Sequence, residues 1–588
     1  MKTQQEVMAS LPVHLRPFVA TQDYTRYTAR DQAVWRFLMH QLVANLSHTA
    51  HPLYLEGLKG TGIDIESIPR IEVMNAKLEN IGWRAAVVDG FIPPAIFIEF
   101  LAHRVLVVAV DIRSYKHMLY TPAPDIIHES AGHAPFIIDV DYAEYLERVG
   151  NFGRRVITNK GDMEIYEAIR HLSIVKESPD CSPQDIENAE STLQATIDKH
   201  KATPPSEAAL LSRLQWWTTE YGLVGRPDDY KIYGAGLLSS LGESVNCLDD
   251  DKVKKNPLTI DAITTNYDIT TEQPQLFVAR NCRHLSQIAD EFSRNMCYFK
   301  GGTEALNTAI RAQTVNTAVY NSGLEVSACF THVHTDAVGS AVYIKTHGPT
   351  QLAFKEKEIS GHGIEYHHHG FGSPVGKLIE MDRCLSLYSV DDLKRFGIEV
   401  GKRVILEYLS GITVNGDLCH IYRREGRNLI FSFEDCTVTS LHGEVLFAPE
   451  WGTFDMAVGE KITSVYGGSA DQSAFPLYSK PLDTATQSRA HSKEEQALYD
   501  EYELIRTIRE EGEGNGDDFN TQCDRVLATY PDEWLLLFEL AEYRAKKQKD
   551  ALFNRLFKRL SELKQDVEQQ NDKQSIALLD YALGRVTK

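Results

Sequence analysis

Apolar and polar positions change rhythm twice along this chain of 588 residues. Residues 21–300 carry the three-to-four-residue spacing of helices. Residues 301–480 shift to the two-residue alternation of strands, and residues 481–588 return to helix. The β-type runs are Val404–Leu409, Ile412–Val414, Leu418–Tyr422 and Leu429–Phe433, with Asn415-Gly416 and Glu425-Gly426 as turn signals between them. In the last zone Ser492 with Glu495 predicts a capped helix start, Leu498, Tyr502 and Ile505 mark one helical face, and Gly512–Gly516 ends it. Two further helices are predicted near Pro531–Lys549 and Ala551–Gln569, the first lined by Trp534, Leu537, Phe538 and Ala541. The expected architecture is a short arm (1–20), a mainly α core (21–300), a β-rich domain (301–480) and a small C-terminal helical domain (481–588).

Composition narrows the function classes. The length fits about three domains at roughly 100–200 residues each. Hydrophobic residues make up 43% and charged residues 24%, the balance of a folded soluble protein. A net charge of −21, from 82 acidic and 61 basic residues, with no long Lys/Arg run, argues against nucleic acid or an anionic membrane as partner. The most apolar stretch, Ala85–Val110, is interrupted by Asp89, Glu99, His103 and Arg104 and is not a membrane span. Met1–Pro17 lacks the basic start and apolar run of a secretory signal. The nine cysteines form no CxxC pair, which points to a reduced, cytoplasmic protein without a disulfide framework. The unusual count is histidine, at 21.

The richest segment holds His128-Glu129-Ser130-Ala131-Gly132-His133. Five residues turn about 500° on a regular helix, so these imidazoles share a face only on an irregular turn or a distorted helix start. Pro122, Pro124 and Pro135, the capping-competent Asp125 and Gly132 supply the breakers for one. Two neutral imidazoles plus one carboxylate, with open positions left over, suit non-haem Fe(II) and O2 chemistry. Glu129 is adjacent and points elsewhere, so the carboxylate must come from a later segment. A surface or core histidine pair is the bland alternative.

The segment resembles the signature of the pterin-dependent aromatic amino acid hydroxylases: TPEPD, two residues, HE, two residues, GH, one residue, P. Here it stands as Thr121-Pro122-Ala123-Pro124-Asp125, His128-Glu129, Gly132-His133 and Pro135. Three more blocks follow in order: Trp216-Trp217-Thr218-Thr219-Glu220-Tyr221-Gly222-Leu223, then Tyr233-Gly234-Ala235-Gly236-Leu237-Leu238-Ser239-Ser240-Leu241-Gly242-Glu243, and a weaker one from Asn266-Tyr267 to Phe277. The likeness covers roughly residues 24–300 and implies that the α core is a hydroxylase catalytic domain.

The resemblance implies roles. His128, His133 and Glu220 match the iron ligands. Glu129, Phe97, Gly90 and Ile92 match the pterin side. Arg113 matches the arginine that pairs with the substrate carboxylate, while Thr121, Asp125, Trp217, Gly236 and Ser239 match the substrate end. Taken alone, Phe97 reads as core, Arg113 as a surface ion pair and Glu220 as a solvated helix residue. The implied cofactors are Fe(II) and a tetrahydropterin, with O2 as co-substrate. The implied reaction is ring hydroxylation of an aromatic amino acid, phenylalanine to tyrosine first, tryptophan second. A silent scaffold on the same fold is the rival from another class.

Ala123 replaces a glutamate of the signature, Ala131 and Ala134 replace larger apolar residues, and Gln215 stands where an aromatic is common near the pterin. His133 and Glu220 are 87 residues apart, wider than usual, so residues 155–205 read as an insert with a helix opened by Ser182-Pro183. A surface elaboration is the expectation for it. Covering the pocket, or contacts in a homo-oligomer, are the alternatives. Residues 301–588 match nothing nameable. They hold His332, His334, His362 and His367-His368-His369, for which exposed loops are the expected setting and a metal site the alternative.

Overall fold

A computed structural model of the chain describes residues 3–90, 92–115, 118–119, 125–177, 181–269, 271–478, 491–512 and 517–587. The first part is helical around two small sheets. The helix Ala29–Leu46, capped by Thr28 and Asp31, runs through the centre of its core. A parallel pair, Arg84–Val88 with Val105–Ala109, lies under the helix Pro94–Ala102. A second sheet orders Asp229–Ile232, Gly222–Arg226, Gln275–Ala279 and Lys254–Pro257 side by side. The N-terminal arm is not loose: Val7, Leu11, Leu15 and Phe18 are buried against Val88, Phe100 and Val107.

The β-rich region forms two sheets. One orders Lys357–Glu358, Ala341–Phe354, Leu324–Thr335, Val315–Tyr320 and Ile462–Gly467. The other orders Arg403–Glu407, Thr413–Arg424, Arg427–Thr439 and Val445–Phe447, with Phe454–Ala457 also paired to Arg427–Thr439. Glu425-Gly426 turns between two strands, both residues at positive φ (47° and 78°), the geometry a two-residue hairpin requires. Asn415-Gly416 does not turn. It lies inside the strand Thr413–Arg424 at a register shift, because the chain reverses earlier, around Gly411 at φ 79°. The Asn-Gly pair thus marks a bulge, a use of glycine that a turn signal cannot distinguish. The β region docks on the α core through residues 155–158: Gly467 N–H donates to Arg155 O at 3.2 Å, and Thr314 Oγ1 to Thr158 O at 2.7 Å.

Five helices close the described chain: Lys493–Glu511, Asp517–Thr529, Trp534–Lys547, Ala551–Gln569 and Lys573–Thr587. They do not stand apart. Trp534 and Phe538 each pack edge-on against Phe37, ring centroids 5.2 Å apart, so the tail shares one apolar core with the helix Ala29–Leu46. Inside that seam Arg36 is buried among Glu66 (2.7 Å), Glu539 (2.8 Å) and Glu542. Tyr115, two residues after Arg113, stacks on Trp534 at 5.8 Å. Among the described residues no helix is long and apolar enough to cross a membrane.

Candidate active site

The backbone solves the five-residue spacing with a π-helix. Ile127–His133 forms one, and the 3-10 turn Ala134–Ile138 follows at Pro135. Bonding from i to i+5 puts residues five apart one turn along the same face, so both imidazoles point one way. Glu220 ends a second π-helix, Trp216–Glu220, where Tyr221 N–H donates to Trp216 O at 2.8 Å. All three expected ligands therefore sit on π-helical backbone. Small residues bring the two segments together. A Cβ on Gly132 would meet Ala235 O at 2.7 Å, and one on Gly234 would meet Glu220 O at 2.5 Å. The loop Gly234-Ala235-Gly236 is thus wedged between the two ligand-bearing helices.

The three side chains converge. His133 Nε2 lies 3.1 Å from His128 Nε2 and 3.2 Å from Glu220 Oε1, and His128 Nε2 lies 3.3 Å from Glu220 Oε2. Burial alone would raise the Glu220 pKa, but His133 and then His128 outweigh it and hold the carboxylate well below its usual range. Ser239 fixes a tautomer. Its Oγ donates to Ala235 O at 2.8 Å, so at 3.0 Å from His128 Nδ1 it accepts that nitrogen's proton. His128 Nε2 is left with its lone pair toward the cluster, the arrangement a metal-binding histidine needs.

Asp125 has two tasks. Its Oδ1 accepts from His128 N–H at 3.0 Å, capping the π-helix, and its carboxylate takes a fork from Arg113, Nε at 2.8 Å and Nη2 at 2.9 Å. Arg113 overrides the burial that would raise the Asp125 pKa, and the net shift is downward. Arg113 is buried, and its Nη1 donates to the carbonyls of Met118 (3.4 Å) and Ser239 (3.3 Å). Glu129 is buried with Oε2 lacking a hydrogen-bond partner among the described residues and 4.0 Å from His133 Nε2. Burial pushes its pKa up to about 8.

The other expected positions divide. Gly236 is buried against Tyr221 and Glu220 O. Gly90, at φ 70°, and half-buried Ile92 precede the helix Pro94–Ala102, on which Phe97 faces a cavity of about 850 Å³. Gln215 and Tyr267 line the same cavity. Thr121, with the TPAP run 121–124, lies outside the described residues. Trp217 needs correction: it is 1% exposed, its ring packs on Phe277 and its Nε1 donates to Thr265 O at 2.9 Å, so it belongs to the core. The half-buried indole is its neighbour Trp216, stacked flat on Tyr267 at 4.2 Å. Sequence reading also missed the cavity's far wall. Met163 and Tyr166, from the inserted helix Lys160–Glu177, and Tyr478 form it, so the insert is more than a surface elaboration. The excess spacing before Glu220 flagged the extra chain but not its direction.

Two imidazoles and one carboxylate grouped around one point define a centre of the non-haem iron oxygenase class. The profile of the biopterin-dependent aromatic amino acid hydroxylase family matches residues 13–154 and 202–330, and the chain belongs to that family. The unmatched stretch between them, 155–201, falls on the inserted helices. Phenylalanine-4-hydroxylase of Chromobacterium violaceum is 30% identical over 270 residues, 46% of this chain and 75% of that protein. Phenylalanine-4-hydroxylase of Pseudomonas aeruginosa is 29% identical over 269 residues, 46% of this chain and 85% of that protein. A solved structure of the Chromobacterium violaceum enzyme, with bound iron(III) and oxidised cofactor 7,8-dihydrobiopterin, is 26% identical and covers 50% of this chain and 94% of its own, at a TM-score of 0.37.

Proposed function

We propose that this chain is an iron- and tetrahydropterin-dependent monooxygenase that hydroxylates phenylalanine to tyrosine. The observation that carries this reading is the convergence of His128, His133 and Glu220 within 3.3 Å of one another beside the buried Arg113. Iron and a tetrahydropterin, when bound, supply the activation of O2. The residues present fit both groups. His128 and His133 offer Nε2 lone pairs and Glu220 a carboxylate held in its charged form. Glu129, with a buried oxygen lacking a partner among the described residues, offers a hydrogen-bonding group to a polar ring such as the pterin's. Phe97 and Gln215, facing the cavity of about 850 Å³, are the stacking and edge contacts for that ring, and Gly90 and Ile92 precede the helix that carries Phe97.

The substrate is a small zwitterion carrying an aromatic ring. Arg113 pairs with its carboxylate, and the Asp125 fork fixes the guanidinium in place. Gly236 and Ser239 shape the same end. Trp216, rather than Trp217, presents the indole face. The unit that does this is residues 21–300 with the insert 155–205, followed by the β-rich part 301–480 and the helical part 481–588. The nine free cysteines suit the reducing cytoplasm.

The test is anaerobic Fe(II) loading of the full chain, then addition of tetrahydropterin and O2 with phenylalanine, tyrosine or tryptophan. Tyrosine formed from phenylalanine is the expected product. Bound iron with no hydroxylated product from any of the three would leave a silent hydroxylase fold.

A further inference from the structure

The β-rich region repeats the ligand set. His362, His367 and Asp455 bring three ligand atoms within 4.8 Å of one another. His362 Nδ1 lies 3.2 Å from His367 Nε2 and 4.0 Å from Asp455 Oδ2. We propose that these three side chains form a second metal site, for a divalent first-row transition ion with zinc its best-suited occupant.

Charge is the first argument. Asp455 is 5% exposed, and the only basic group within 4.0 Å of it among the described residues is His362. A carboxylate buried with no Lys or Arg beside it among the described residues is costly, and a divalent ion between it and the two imidazoles meets its charge. The bland alternative, a hydrogen-bonded polar cluster, accounts for the contact between the two histidines but leaves that charge unmet.

Preorganisation is the second. Gly363 O accepts from His367 N–H at 3.1 Å, closing the turn that carries both histidines. That turn is strapped to the strand Ala341–Phe354, with Leu352 N–H on His362 O (2.9 Å) and Thr350 N–H on His367 O (3.1 Å). Asp455 arrives on the strand Phe454–Ala457, where Ser432 Oγ donates to its Oδ1 at 2.5 Å and orients the carboxylate. Such outer-shell support is usual around metal-binding carboxylates. Tyr366 rings both histidines, at 5.7 and 4.7 Å, and is itself exposed, as is His420 in register with Ser432. Three protein ligands beside an opening match the zinc sites that keep one position for water or substrate.

The other histidines of this group do not join. His332 and His334 pair with each other on the strand Leu324–Thr335, ring centroids 4.5 Å apart, and His368 and His369 are exposed.

The experiment counts metal on the full chain. Chelator-stripped protein is loaded with Zn(II) alone, desalted and measured by elemental analysis. Wild type should hold two ions per chain, Glu220→Ala one, Asp455→Asn one, and Glu220→Ala combined with His367→Ala none. Cobalt(II) in the Glu220→Ala background should give visible d–d absorption that His367→Ala removes. Asp455→Asn, loaded with Fe(II), should hydroxylate at the wild-type rate, which shows that this variant is folded. One ion per chain in the wild type, or no loss of metal in Asp455→Asn and in the His367→Ala combination, would overturn the proposal.

Discussion

The two histidine clusters share a spacing and differ in everything beneath it. His128 and His133 are five apart, and so are His362 and His367. In the first pair a π-helix delivers both rings to one face. In the second a tight turn does so, held against a strand. The first carboxylate comes from another π-helix, the second from a strand of the neighbouring sheet. The surroundings differ too. The first cluster is joined to the Arg113 guanidinium through Ser239 and Asp125. The second has tyrosines and an opening. A ligand set therefore says which ions fit, and its neighbours say what those ions are for.

The sharpest way to break this contrast is to remove one carboxylate at a time. Glu220→Ala should abolish both iron binding and hydroxylation, while Asp455→Asn should leave hydroxylation intact. Iron analysis and a product assay on both variants check it, and normal turnover by Glu220→Ala would show that the ligands are misassigned.

The seam with the C-terminal helices belongs to the first cluster only, since Tyr115 beside Arg113 stacks on Trp534. Arg36→Ala takes the shared buried cation from Glu539 and Glu542 and leaves them Arg509 and Arg585, so the cost falls below the roughly 3–5 kcal/mol of a fully stranded buried charge. A lowered melting temperature is expected, together with weaker substrate binding and no change in the metal content of the second cluster.

Arg113→Lys replaces a planar fork by a point charge. Charge-assisted bonds of this kind contribute about 1.5–3 kcal/mol, so kcat/KM for phenylalanine should fall roughly 10–100-fold. Steady-state kinetics would show it, mainly in KM. Ser239→Ala and Ser432→Ala form a matched pair: each should weaken metal binding roughly 10-fold or more at its own cluster and leave the other unchanged. Metal titration of the two variants separates them, and a crossed effect would mean that the clusters are not independent.

The smallest effect is that of acid on the tail. Burial would raise the Glu542 pKa, but Arg36 and Arg585 bring it down to about 2. A carboxylate with a lowered pKa stabilises the fold above its ordinary value of 4.5, and that contribution is lost as pH falls from there toward about 2. Denaturant melts across that window should show stability declining with acid, less steeply in Glu542→Gln.

Much of the first cluster was legible because its residues are packed into short, ordered motifs. His128, His133 and Arg113 could be named from sequence, and the need for irregular backbone between the histidines followed from helix geometry. That the irregularity is a π-helix did not, because i to i+5 bonding leaves no mark in residue type. Trp217 was misjudged because two adjacent tryptophans on a helix point in different directions, and only packing decides which one is open. Asp455 was invisible: it lies 88 residues beyond His367, and only the packing of one β sheet against the other brings them together. The Asn415-Gly416 error has the same root, since glycine marks a bulge and a turn alike. The tail helices were legible in their periodicity, but their union with the α core depends on Phe37 and Arg36, distant in sequence from everything they touch.

The most direct measurement of the central claim is a single-turnover assay of the full chain loaded anaerobically with one Fe(II), with tetrahydropterin and phenylalanine, on exposure to O2. Tyrosine formed in proportion to bound iron, and absent in Glu220→Ala, is the result expected. Iron retained without tyrosine, or tyrosine formed equally by the variant, would contradict it.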